Sequence, residues 1–208
     1  FVLLVMDIGN TNVKIGIFKG DKLTSSWRVS TIASHTADEY GMVIYDLLRQ
    51  SGSKFEDIKG AVMSSVAPSL NYTIEHMCSY YTGKKPLIVD AKTKLGIEIR
   101  YDNPSELGAD RMVGAAAAFK FYGGPVIVID FGSATTFNLV TKDGVYLGGA
   151  IAPGIKTATE SLVNTAAKLP RIELTTPDNI VGTSTRSCMQ SGIIYGYAGM
   201  VKYLVEKY

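Results

Sequence analysis

The stretch Asp7-Ile8-Gly9-Asn10-Thr11-Asn12-Val13-Lys14 decides how the rest of the chain is read. The apolar run Val2-Leu3-Leu4-Val5-Met6 before it suits a buried strand. After it, Val13, Ile15 and Ile17 alternate with Lys14, Gly16 and Phe18, so a second strand follows almost at once. An acid ending one strand, then Gly9, Asn10 and Thr11 in a tight turn, makes a polar pocket between two strands. Gly9 is free to take a positive φ and lets a ligand come close to the backbone. The turn N–H groups and the Asn10 and Thr11 side chains can point at phosphate oxygens, while Asp7 can hold a cation. The same residues would also close an ordinary hairpin.

A second copy shifts the balance. The run Val126-Ile127-Val128-Ile129-Asp130-Phe131-Gly132-Ser133-Ala134-Thr135-Thr136 repeats the design: apolar strand, acid, one residue, glycine, then hydroxyls. The first copy leads through a turn at Lys19 to Lys22 into a strand from Leu23 to Val29. The second leads through Phe137 to Val140 and a turn at Lys142 to Gly144 into a strand from Val145 to Ile151. Two strand-turn-strand-turn-strand units, each opened by Asp-x-Gly, read as a duplicated α/β domain. The duplication is expected to set the two acid-bearing turns face to face across a cleft, with one nucleotide's phosphates between them.

At 208 residues the chain has room for one large domain or two small lobes, and it needs no disulfide staples. Hydrophobic residues at 46% and charged residues at 19% describe an ordinary globule and exclude a disordered tail. Net charge +2 with scattered Lys and Arg offers no basic stripe for nucleic acid. Cys78 and Cys188 are too few and too far apart for a disulfide framework or zinc site, which points to a reducing cytoplasm. The opening apolar run is too short for a signal peptide or membrane span. His35 and His76, the only histidines, read as surface residues.

Along the chain, Thr36 and Glu39 form a capping-box pattern opening a helix with Tyr40, Val43, Ile44, Leu47 and Leu48 at helical spacing, which stops before Gly52. Ala61 to Met63 read as a strand giving way to Ser64 and Ser65. Pro68 starts a helix to about Tyr81, and Pro86 to Asp90 is a short strand, so the first half reads βββαβαβ. Ile97 to Tyr101 alternate. Asn103 and Pro104 then open an expected helix to about Tyr122, with Leu107, Gly114, Ala118 and Phe121 on one stripe beside Asp110 and Arg111. A carboxylate on such a face is either paired structurally or working chemically. Ala152-Pro153-Gly154 reads as a turn before a helix through Leu162 and Val163, and Ile172 to Ile180 as a loop or flap. Gly182-Thr183-Ser184-Thr185 either caps a helix or contacts a small ligand. In the last helix, Arg186 to Glu206, Gly192, Gly196 and Gly199 would admit another helix, within the chain or in a dimer.

Taken together, DIGNTNVK at Asp7 to Lys14, GADR at Gly108 to Arg111, DFGSATT at Asp130 to Thr136 and GGAIAPGI at Gly148 to Ile155 resemble the type III pantothenate kinases. The order and spacing of these motifs make the resemblance specific, and it runs from the first strand to Tyr208. It implies duplicated ribonuclease-H-like (actin-like ATPase) lobes with mixed sheets, placed at 1–104 and, with the linking helix, at 105–208. It implies ATP-dependent phosphorylation of the primary hydroxyl of pantothenate on the way to coenzyme A. The implied ATP-binding residues are Asp7, Ile8, Gly9, Asn10, Thr11, Asn12, Val13, Lys14 and Ser133. Tyr101, Gly108, Ala109, Asp110, Arg111 and Thr185 are implied to contact pantothenate, Asp110 as proton acceptor and so the catalytic residue. Asp130 is implied to hold a monovalent cation, K+ or NH4+, with Mg2+ accompanying ATP. A cytoplasmic homodimer is expected, with no nucleic acid or membrane partner.

This chain departs from the resembled pattern at three places. Ser133 stands where Thr is usual, which keeps the hydroxyl. Asn138 stands where an acid is common, which weakens any cation contact there. The further strand and helix whose Gly-Gly turn packs on adenosine have no match here, so the chain reads as a trimmed form of a longer protein. Two other readings stand beside the kinase. A regulatory or scaffold protein on the same fold would have no need of Asp7, Asp110, Arg111 and Asp130 together. A kinase for another small alcohol or sugar is disfavoured by the GADR segment.

Overall fold

Alternate residues of the opening strand leave on opposite faces, and the two faces have opposite characters. In the computed structural model, which describes residues 1–208, β1 (Val2–Ile8) buries Leu4, Met6 and Ile8 on one side and carries Leu3, Val5 and Asp7 on the other. β2 (Asn12–Lys19) runs antiparallel to β1, and β3 (Lys22–Ser30) antiparallel to β2. β4 (Ile58–Ser65) and β5 (Leu87–Ile88) add in parallel beyond β1, giving the order β3-β2-β1-β4-β5. The expected βββαβαβ series is thus realised.

Two helices cover the apolar face. α1 (Ala37–Gln50) starts at Thr36, whose hydroxyl accepts from the Glu39 N–H while the Glu39 carboxylate accepts from the Thr36 N–H. α2 (Pro68–Thr82) begins with Pro68 and ends at Gly83, whose φ of +64° closes the last turn where a side chain would be strained. Tyr40, Ile44 and Leu48 from α1 and Leu70, Ile74 and Met77 from α2 pack on Leu4, Met6, Ile8, Ile15, Ile17 and Met63. Cutting any of the fully buried aliphatics to Ala would cost roughly 2–5 kcal/mol.

The chain divides into two compact units: Phe1–Ile97 with Tyr101–Ala117, and Glu98–Arg100 with Ala118–Tyr208. In the second, β7 (Val126–Phe131), β8 (Ala134–Val140) and β9 (Val145–Pro153) form an antiparallel meander that repeats β1-β2-β3. The two-residue β6 (Glu98–Ile99) pairs parallel to β9, so the order is β6-β9-β8-β7. α4 (Ile155–Thr165) and α5 (Thr185–Lys207) follow. The expected loop between them is strapped to α5. Gln190 Nε2 donates to Glu173 O at 2.9 Å, Tyr195 Oη to Pro177 O at 3.3 Å, and Ser191 Oγ to Ile180 O.

Three local expectations need correction. The helix expected from Asn103 is two pieces: a 3-10 turn at Pro104–Glu106, then α3 (Ala109–Tyr122). Between them Leu107, extended at ψ 120° and 4% exposed, drops into the core, so the turn cannot propagate. The buried face of α3 is therefore Ala109, Met112 and Ala115 with Arg111, and not a stripe through Leu107 and Phe121; Phe121 is exposed. Ala152 and Pro153 continue β9, with Gly154 as the cap of α4. Finally, no atom lies within 4 Å of a Cβ built at Gly192, Gly196 or Gly199, so no other helix of this chain uses that face.

Candidate active site

The open face of the first sheet carries a polar row at its upper end. Backbone register places Ser64, Asp7, Lys14 and Arg28 side by side on four consecutive strands. Ser64 Oγ donates to Asp7 Oδ1 at 2.8 Å, and Lys14 Nζ stands 3.1 Å from Asp7 Oδ2. The lysine is half exposed, so this ion pair adds at most about 1 kcal/mol to stability. Below the row lies a cavity of about 610 Å³ with an apolar floor that includes Val5, Gly16, Phe18 and Val62. Gly16 sits where a side chain would press on Val5 and Leu23.

The turn above the row is three residues long. Gly9 N–H donates to Asn12 O at 3.0 Å, Thr31 Oγ1 donates to Gly9 O at 2.7 Å, and Thr31 N–H donates to Thr11 O at 2.9 Å. Gly9 does not adopt a positive φ. Its lack of a side chain matters for space: a Cβ there would lie 3.0 Å from Asn12 O. Asn10 and Thr11 are exposed, whereas Ile8 and Val13 are core residues that can offer a ligand only backbone.

The same unit holds Tyr101 and the Gly108 to Arg111 segment. Gly108 O receives the Arg111 and Met112 N–H groups, which starts α3. The half-buried Asp110 accepts the Arg111 N–H on Oδ1 at 2.8 Å, and Arg111 itself is 9% exposed. A Cβ at Gly108 would lie 2.5 Å from that Oδ1 and 3.4 Å from Val66 Cγ1. Glycine at this position therefore lets the carboxylate fold back over the helix start.

In the second unit Asp130 is exposed and pairs with Thr136 in the ladder. The turn after it is shorter than in the first copy, with Gly132 N–H donating to Ala134 O at 3.0 Å. Ser133 is exposed. Its carbonyl receives Gly154 N–H at 2.9 Å and Thr157 Oγ1 at 2.8 Å, and a Cβ at Gly154 would overlap the Gly132 carbonyl. This explains why the Pro153-Gly154 corner needs glycine. Thr185, the first residue of α5, is exposed, and the cap is its neighbour Ser184, which accepts the Ser187 N–H at 3.2 Å. Asn138 is buried and structural: Tyr146 Oη donates to Asn138 Oδ1 at 2.9 Å, and Asn138 Nδ2 donates to Thr136 Oγ1 at 3.2 Å.

Sequence reading passed over Ser64 and Arg28. Each is signalled only by cross-strand register: both fall level with Asp7 once β4 and β3 are placed beside β1 and β2. Nowhere do three His, Cys, Asp or Glu side chains gather to enclose a metal. A single carboxylate beside a glycine turn fits magnesium, which is usually held by one or two carboxylates together with substrate phosphates.

A sheet ordered β3-β2-β1-β4-β5, a repeated meander and an acid-x-Gly turn at the head of each give the chain the actin-like ATPase fold. The crystal structure of a conserved putative Baf family transcriptional activator from Campylobacter jejuni shares this fold, with TM-score 0.61 at 17% identity over 97% of this chain and 78% of that one. The profile of the type III pantothenate kinases matches residues 3–207. The chain is 50% identical over 206 residues to the type III pantothenate kinase of Geobacillus kaustophilus (strain HTA426), spanning 99% of this chain and 80% of that protein. It is 49% identical over 206 residues to that of Geobacillus thermodenitrificans (strain NG80-2). The chain belongs to the type III pantothenate kinase family. No helix is long and apolar enough to cross a membrane.

Proposed function

We propose that the chain transfers the γ-phosphoryl group of ATP to the primary hydroxyl of pantothenate, forming 4'-phosphopantothenate in the first step towards coenzyme A. The observation that carries this reading is half-identity to type III pantothenate kinases along 206 residues. Phosphoryl transfer asks a protein mainly to position the acceptor and to neutralise charge on the phosphate oxygens. Amides of the turn after Gly9 and the Lys14 ammonium are suited to that neutralisation. Asp7 would hold the magnesium that travels with ATP, which would supply positive charge against the phosphate oxygens.

Asp110 takes the hydroxyl proton as the new O–P bond forms and the bond to the β-phosphate oxygen breaks, releasing ADP. Arg111, Tyr101 and Thr185 contact the acid. Asp130 holds a monovalent cation, Ser133 contacts ATP, and the active form is a cytoplasmic homodimer. The test is ADP release with ATP, magnesium, potassium and pantothenate. Turnover is expected to require pantothenate; release at the same rate without it would sink the reading. Activity unchanged on removing potassium and ammonium would take the cation role from Asp130. A monomer mass in light scattering at full activity would remove the dimer.

A further inference from the structure

Lys14 and Arg28 are direct partners in the β2–β3 ladder, so both side chains leave the sheet on the face that carries Asp7. Side chains directly opposite in an antiparallel pair lie about 5 Å apart at Cβ, and like charges placed so repel. Asp7 offsets only one of them. Lys14 Nζ sits 3.1 Å from Asp7 Oδ2, while none of the four ion pairs of the chain includes Arg28. Asp7, Lys14 and Arg28 are the charged residues lining the cavity of about 610 Å³, so its wall carries one carboxylate against two cations.

An exposed guanidinium held against a like charge at a cavity wall is arranged to meet an oxyanion, and its planar fork matches a phosphate group. β3 lies two strand spacings from β1, about 10 Å, which the long arginine side chain largely spans. We infer that Arg28 is a further phosphate-binding residue, directed at the triphosphate of ATP. The inference rests on the kinase reading and adds to it a residue outside the glycine turn.

The test uses Arg28→Ala and Arg28→Lys in the whole chain, with dissociation constants for ATP and for AMP measured calorimetrically in the presence of magnesium. Arg28→Ala is expected to weaken ATP about tenfold or more and to leave AMP within about twofold, as suits loss of a charged hydrogen bond to the outer phosphates. Arg28→Lys should recover part of the loss. The thermal midpoint should hold or rise, because a repulsive contact has gone; an arginine kept only for structure would lower it. Unchanged ATP affinity in Arg28→Ala overturns the inference. So does equal weakening of ATP and AMP, or a raised pantothenate KM with ATP binding intact, which would move Arg28 to the acid's carboxylate. Wild-type protein that binds ATP but leaves pantothenate unphosphorylated would defeat the proposed function and leave this binding comparison standing.

Discussion

Ser64 holds Asp7 from a strand 57 residues further along the chain, with its hydroxyl 2.8 Å from Oδ1. The bond leaves Oδ2 to Lys14 and fixes the plane of the carboxylate. A group that orients a metal-binding carboxylate typically matters about 10- to 100-fold in metal affinity. Ser64→Ala should therefore raise the magnesium concentration for half-maximal activity about tenfold, with the pantothenate KM little changed. A magnesium titration that superimposes on wild type would remove Ser64 from the site.

Asp110→Asn keeps the size of the side chain and removes its capacity to take a proton. Turnover should fall by about 10²- to 10⁴-fold, the usual contribution of a general base. Pantothenate binding by calorimetry should survive. Near-normal turnover in this variant would show that the proton goes elsewhere.

The Tyr146–Asn138 bond lies in the core of the second unit, with the two residues 0% and 2% exposed. Tyr146→Phe deletes the donor and keeps the ring, so its cost should be about 1–3 kcal/mol in urea unfolding. Stability equal to wild type would mean that Asn138 finds another donor at no loss.

Burial pushes the Cys78 thiol up to about 12, while Cys188 is exposed on α5 with its thiol 3.3 Å from Gly182 O. The thiolate is the reactive form, so a thiol reagent at pH 8 should label Cys188 in the folded protein and both cysteines after denaturation. Rapid labelling of native Cys78, read by mass spectrometry, would contradict the packing of α2.

The bonds from Thr36 hold the Glu39 carboxyl below its ordinary value of 4.5. A depressed folded pKa gives stability that is present above the unfolded value and lost as pH falls through the folded one. The difference in thermal midpoint between wild type and Glu39→Gln should thus be largest near neutral pH and shrink below about pH 4. A difference independent of pH would assign the effect to something other than the charge.

Much of this architecture was legible in the chain because its signals are local. A short apolar run marked β1, alternation marked β2, the Thr36–Glu39 pair marked the start of α1, and the repeated Asp-x-Gly marked the two meanders. Misreadings arose where tertiary contacts overrode local propensity. Asn103-Pro104 did open a turn, but burial of Leu107 ended it before α3 could begin. Gly9 looked like a residue for an unusual dihedral and instead spares room for Asn12 O. Ser64 and Arg28 escaped notice for a different reason. Their place beside Asp7 exists only after strands distant in sequence are set in register, which no local pattern encodes.

Met6 and Ile8 fill the hydrophobic interior while Asp7, between them, faces the other way. Deleting or inserting one residue within β1 would turn the acid inward and an aliphatic outward together. One-residue length changes in this strand should therefore cost fold and site together: libraries ought to recover substitutions here and no single-residue indels.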